Sequence, residues 1–154
     1  MQKALDDHII EKKGLQGQDL LPNLILALQV ELGECANEWR GFKHWSDDQA
    51  PRNVLEEYVD CLHFILSIGN LLVHRSDKTN ISFIKNDEDI IWHFSYLFST
   101  FSDLWNYGEI DEPYGLVIKR FLDLGELLGF TYIQIEEAYI SKNEVNHERQ
   151  ENGY

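Results

Sequence analysis

Pro22-Asn23-Leu24-Ile25-Leu26-Ala27-Leu28-Gln29-Val30-Glu31-Leu32-Gly33-Glu34-Cys35-Ala36-Asn37-Glu38-Trp39-Arg40 is the stretch that decides the fold. Its first half is nearly all apolar, as expected of a helix buried on most sides. Pro22 suits a first helical turn, where its missing N–H has no partner to lose. The pattern predicts a helix over about 22–40, carrying Glu31 and Glu34 in its second half.

The same periodicity extends in both directions. Upstream, Leu5, Ile9 and Ile10 share one side of a helix over about 2–12, with Gly14 as its stop. Downstream, a loop holding Gly41, His44, Trp45, Ser46 and Asp47 leads to Pro51, which is expected to open a third helix. That helix reads through Leu55, Val59, Leu62, Phe64, Ile65, Ile68 and Leu72 to about His74. The polar stretch 75–86 reads as a loop. A fourth, aromatic-rich helix fits about 88–106 with Gly108 behind it; a fifth runs from Pro113 to near Gly129; a sixth spans about 131–149 and turns polar after Tyr139. No alternating strand pattern, internal repeat or low-complexity linker interrupts this. The expectation is an all-α, single-domain helical bundle of about six helices over residues 1–154.

Composition agrees. A chain of 154 residues with 44% apolar content suits one domain with a real core and argues against disorder. It has no run of about 18 apolar residues, so no membrane span is expected. The start, Met1-Gln2-Lys3-Ala4-Leu5, opens into an amphipathic pattern without a basic-then-apolar signal, and the expected location is the cytoplasm. Cys35 and Cys61 form no spaced pair for zinc or redox chemistry and read as buried free thiols. A formal net charge of −14 excludes broad electrostatic binding to nucleic acid or anionic membrane. It leaves room for a small phosphate-bearing substrate met by metal cations and a few local Lys and Arg side chains.

The informative feature is where the acids fall. Glu57 and Asp60 lie in Leu55-Glu56-Glu57-Tyr58-Val59-Asp60-Cys61-Leu62, again among apolar residues. A spacing of three puts each pair on adjoining turns of one helix face. Packed together, the two helices bring Glu31, Glu34, Glu57 and Asp60 toward a common point, and Glu38 returns to the face of Glu31 as a fifth acid. One such pair is usually just a solvated face. Two pairs on successive apolar helices, with no Lys or Arg between the paired acids, would repel and raise one another's pKa unless a divalent cation intervened. All-oxygen ligation favours magnesium, or manganese, over zinc. His44 and His63 leave a mixed site open, although no pair of histidines shares one helix at ligand spacing.

The arrangement E-x-x-E, about twenty residues, then E-x-x-D resembles the metal motif of the all-α NTP pyrophosphatase superfamily, which includes MazG-like enzymes and the dimeric dUTPases. More of the chain is similar to the dimeric dUTPases. Gly14-Leu15, Asp19-Leu20-Leu21, the run from Leu26 to Glu34, Asn37-Glu38-Trp39-Arg40 and Phe42-Lys43-His44-Trp45-Ser46 look like that family's extended first motif. The end, Tyr139 to Tyr154, resembles its closing signature, Y-x-x-K-N-x-x-N-x-x-R-Q-x-x-G-Y. These segments cover about half the chain; about 75–130 matches in helical character only.

The resemblance implies Glu31, Glu34, Glu57 and Asp60 as metal ligands, with Glu31 or Glu34 taking a proton from the attacking water. It implies Lys142, Asn146 and Arg149 as phosphate contacts, and their spacing places them on one helical face. His63 and Phe64 would frame the base, with Trp45 and Gln2 as further candidates. The implied enzyme is a magnesium-dependent homodimer that converts dUTP to dUMP and pyrophosphate, with attack at the β-phosphorus that would also admit dUDP. One rival keeps the chemistry and changes the base, a dCTP or broad-specificity nucleoside triphosphate pyrophosphatase. Another is a non-catalytic helical protein whose acids are solvated or hold a structural ion.

Overall fold

The computed structural model describes residues 1–72, 89–107 and 114–153. Among them are six helices and no strand: α1 Gln2–Lys13, α2 Leu21–Trp39, α3 Val54–Leu72, α4 Ile90–Tyr107, α5 Tyr114–Leu127 and α6 Tyr132–Glu151. Local chemistry sets most of the boundaries. Gly14 takes a left-handed conformation (φ 66°), and the N–H groups of Gly14 and Leu15 reach back to the Glu11 and Ile10 carbonyls, closing α1. Thr131 and Gln134 form a reciprocal capping box at the start of α6.

The entry to α3 differs from expectation. Pro51 does not open the helix, which begins at Val54. Asn53 starts it instead: its carbonyl accepts from the Glu56 and Glu57 N–H groups, and its own N–H donates to Glu38 Oε2 at 3.2 Å. Glu38 is therefore held at the mouth of α3 and does not join the other acids as a fifth member. Arg40, which ends α2, carries the positive φ of 64°, and its guanidinium donates to the Asp48 carbonyl at 2.6 and 3.0 Å. That contact ties the segment between α2 and α3 back onto the helix end. The expected end of the third helix near His74, the loop over 75–86, and the punctuation at Gly108 and Pro113 lie outside the described residues.

α3 is the central helix. α1, α2, α5 and α6 all pack on it, while α4 lies against α2 and α5. Ile25, Leu28, Leu32 and Cys35 from α2 meet Tyr58, Val59, Cys61, Ile65 and Ile68 from α3 in one buried cluster. Tyr58 stacks on Phe121 at 4.2 Å and donates to the Phe121 carbonyl at 2.9 Å. Gly125 permits that closeness, since a Cβ there would lie 2.5 Å from the Tyr58 hydroxyl. Both cysteines are free and buried, as expected, and burial pushes the Cys35 thiol up to about 12, which keeps it inert. No helix among the described residues is long and apolar enough to cross a membrane.

Because α2 and α3 are neighbours with long apolar contacts, their polar residues are confined to what remains of each surface. That confinement brings the acids together.

Candidate active site

Glu31, Glu57 and Asp60 each present a carboxylate oxygen, and the three oxygens lie within 4.8 Å of one another. All three side chains are half-buried at the α2–α3 seam. Glu34, one turn along α2 from Glu31, is exposed and outside this tight trio, yet its charge still acts on both Glu31 and Glu57. Burial first, then the charges of Asp60, Glu34 and Glu57, raise the Glu31 carboxyl to about 7. Glu57 is raised for the same kind of reason, burial ahead of the neighbouring acids. The cluster is an electrostatic conflict built into the apo fold, and hard oxygen donors this close suit a divalent cation.

α6 answers the conflict from the other end of the chain. The Lys142 ammonium donates to Asp60 Oδ2 at 2.7 Å and to Glu56 Oε1 at 3.3 Å. Burial alone would lower the Lys142 pKa, but hydrogen bonds and charges from Asp60 and Glu56 outweigh it and the pKa is raised. Asn146 and Arg149 follow on the same face of α6. With Glu31, Asp60, His63 and Phe64 they line one cleft, which α1 closes with Gln2 and Asp6.

α1 is fastened to α3 by a dense polar knot. Asp6 accepts from Gln2 Nε2 (2.9 Å), Ser67 Oγ (2.7 Å) and Asn70 Nδ2 (3.0 Å). Gln2 Oε1 accepts from the Tyr139 hydroxyl at 3.0 Å and pairs with His63 Nδ1 at 2.7 Å. Since the Gln2 amide nitrogen faces an acid, its oxygen faces the imidazole, so His63 is the donor through Nδ1. Its Nε2 is left as an acceptor, itself buried, with no hydrogen-bond partner among the described residues. Burial, then the nearby Lys142, hold the His63 pKa down at about 4, so the ring is neutral at ordinary pH. The ring also stacks on Tyr139 at 4.4 Å.

Ten of the eleven residues singled out from sequence gather in this region; Trp45 does not. Trp45 is 67% exposed on the segment after α2, edge-on to Phe42 and His44, and is not among the residues lining the cleft. The mixed metal site left open earlier does not form among the described residues. His44 is exposed beside Trp45, and neither it nor His63 belongs to the converging trio. The sequence pattern did not single out Asp6, Ser67 and Asn70, nor the role of Tyr139, which together hold Gln2 and His63 in place. Asp6 carried a signal, an acid one turn after Gln2 on a helix whose other side is apolar, and Tyr139 another, as the first residue of the closing signature.

Clustered carboxylates and the Lys142–Arg149 face of α6 around one cleft suit a divalent cation and a phosphate-bearing ligand. A family model described as dUTPase matches residues 1–154, and the chain belongs to that family. Its reaction is the hydrolysis of dUTP to dUMP and pyrophosphate, and dUTPases generally use a divalent metal. A comparison with curated proteins finds no match.

Proposed function

We propose that Glu31, Glu34, Glu57 and Asp60 hold magnesium, with manganese as a substitute, and that the α1–α3–α6 cleft binds dUTP beside them. The observation that carries this reading is the trio of carboxylate oxygens within 4.8 Å, bordered by the Lys142 ammonium. Partly buried, all-oxygen donors that repel one another favour a hard divalent cation over zinc. Bound there, the cations supply charge neutralisation for the triphosphate and acidify a water molecule.

The protein's own groups do the rest. Lys142 and Arg149 pair with phosphate oxygens, and Asn146, on the turn between them, adds an amide donor. Glu34, exposed and outside the tight trio, takes the proton from the attacking water. Phe64 offers its ring face to the pyrimidine. His63 Nε2, buried without a hydrogen-bond partner among the described residues, is the acceptor for the uracil N3–H once the cleft admits the base, an interaction cytosine cannot make because its N3 carries no hydrogen. Attack at the β-phosphorus extends the same geometry to dUDP.

The whole chain, 1–154, acts as one domain in this reading, in the cytoplasm and as a homodimer. Leu26 (59% exposed) and Val30 (50%) on α2, with Ile91 (49%) on α4, are apolar positions that a second copy would cover. The direct experiment is a nucleotide screen in magnesium, read by pyrophosphate release. dUTP should turn over far faster than dCTP or TTP; equal rates for dUTP and dCTP would move the protein to a general nucleotide pyrophosphatase.

A further inference from the structure

Lys142 stands on the boundary between two clefts. One is the cleft with Glu31, Asp60 and His63; the other lies between α3 and α6 and is bordered by Glu56, Val59 and Val145. The ammonium reaches across 82 positions of sequence to sit 2.7 Å from a carboxylate oxygen of the metal-binding cluster, with a second acid, Glu56, at 3.3 Å. Both members of the Lys142–Asp60 pair are largely shielded, at 16% and 19% side-chain exposure, so water screens their attraction weakly. Lys142 takes Asp60 Oδ2. An ammonium held on that carboxylate and a divalent cation bound to it share one negative charge, and their positive charges repel at close range.

We propose that Lys142 is an internal counter-ion, occupying the metal-binding carboxylates in the metal-free protein and released toward the substrate phosphates when a divalent cation takes Asp60. This rests on the metal site proposed above and adds a thermodynamic link between metal, α6 and substrate. Without metal, Lys142 neutralises part of the acid cluster and docks α6 on α3. The arriving ion takes over that neutralisation. The freed ammonium stays on the cleft boundary, where triphosphate oxygens are the next available acceptors. Lys142 is thus a positioning residue before substrate arrives and a contact residue afterwards.

The two roles predict opposite effects of one substitution, which a purely structural role would not produce. Mn2+ titrated into nucleotide-free protein by calorimetry should bind Lys142→Met roughly tenfold or more tighter than the unmodified protein, because a competing cation is gone. Lys142→Arg, which keeps the charge, should bind Mn2+ close to the unmodified value. On metal-saturated protein, a non-hydrolysable dUTP analogue should bind Lys142→Met at least roughly tenfold more weakly. Equal Mn2+ affinity in the unmodified and Met proteins overturns the counter-ion role while leaving the metal site standing. No Mn2+ binding by the unmodified protein overturns the metal site itself. If the Met variant does not fold without metal, the Lys142 ammonium signal in nitrogen-resolved NMR of the unmodified protein decides. Added Mg2+ should shift that signal and speed its exchange with water, and an unchanged signal overturns the proposal.

Discussion

His63 Nδ1 lies 2.7 Å from Gln2 Oε1, a contact between the first turn of α1 and the middle of α3 that fixes which imidazole nitrogen carries the proton. Gln2 is itself oriented by Asp6 and Ser67, so the tautomer is set by a chain of hydrogen bonds behind the cleft.

Base selectivity should depend on that chain. Replacing Gln2 with Leu removes the acceptor at Nδ1, and the ring can then present N–H on either side. The expected result is a larger fall in kcat/KM for dUTP than for dCTP, narrowing the preference. Phe64→Ala should instead raise TTP relative to dUTP, since thymine differs only by a methyl group and its exclusion is steric. Measuring kcat/KM for the three nucleotides on both variants separates the two effects; an unchanged dUTP:dCTP ratio in Gln2→Leu removes His63 from base recognition.

The acids of the cluster should not respond alike to neutralisation. Glu57→Gln and Glu31→Gln relieve repulsion, so each variant should melt higher than the unmodified protein without metal, while losing turnover. Asp60→Asn removes the acceptor of Lys142 as well as a charge, so it should lose turnover with no such gain in melting temperature. Thermal melts in chelator alongside dUTP assays check this. A Glu57→Gln protein that melts lower than the unmodified chain would mean the cluster is not under electrostatic strain.

The pH dependence of the metal-free protein follows from the same strain. Glu31 releases its proton near 4.5 when unfolded and near about 7 when folded. The folded state therefore gains from this group fully below about 4.5 and loses that gain as pH rises through about 7. Glu57, raised as well, adds in the same sense. His63, depressed from 6.5 to about 4, opposes: its contribution is present above 6.5 and lost as pH falls through about 4. The Glu31 and His63 shifts are similar in size and opposite in sense, so melting temperature in chelator should change little between about 4.5 and 6.5 and fall as pH rises on through about 7. Glu31→Gln should turn the lower window into a rise and remove the fall, and saturating magnesium should also remove the fall. A Glu31→Gln protein with the original slope would assign the titration to another group.

Most of the fold was legible because the helices announce themselves by apolar spacing and by residues such as Gly14 that end them. Pro51 misled because a proline fits the first turn of a helix and an extended connector equally well; the real start needed the Glu38–Asn53 contact, which no local pattern encodes. Glu38 failed for the same reason, since helical spacing gives the face of a side chain but not a partner fifteen positions away. The convergence of Glu31, Glu57 and Asp60 was readable because charges amid apolar residues on two helices have few places to go, whereas the same spacing leaves Glu34 exposed outside the trio. Ser67, Asn70 and the contact of Tyr139 with Gln2 were not readable, because each acts through a hydrogen bond to α1 across at least sixty positions.

Turnover should run through a divalent cation on the α2–α3 carboxylates. The most direct test strips the protein with chelator, adds Mg2+ back stepwise and follows pyrophosphate release from dUTP for the unmodified protein and Glu57→Gln. The expected result is no turnover in the stripped protein, full recovery of the unmodified chain, and little or no recovery of Glu57→Gln at any magnesium concentration that restores the unmodified one. Turnover persisting in chelator, or Glu57→Gln recovering like the unmodified protein, would contradict the account.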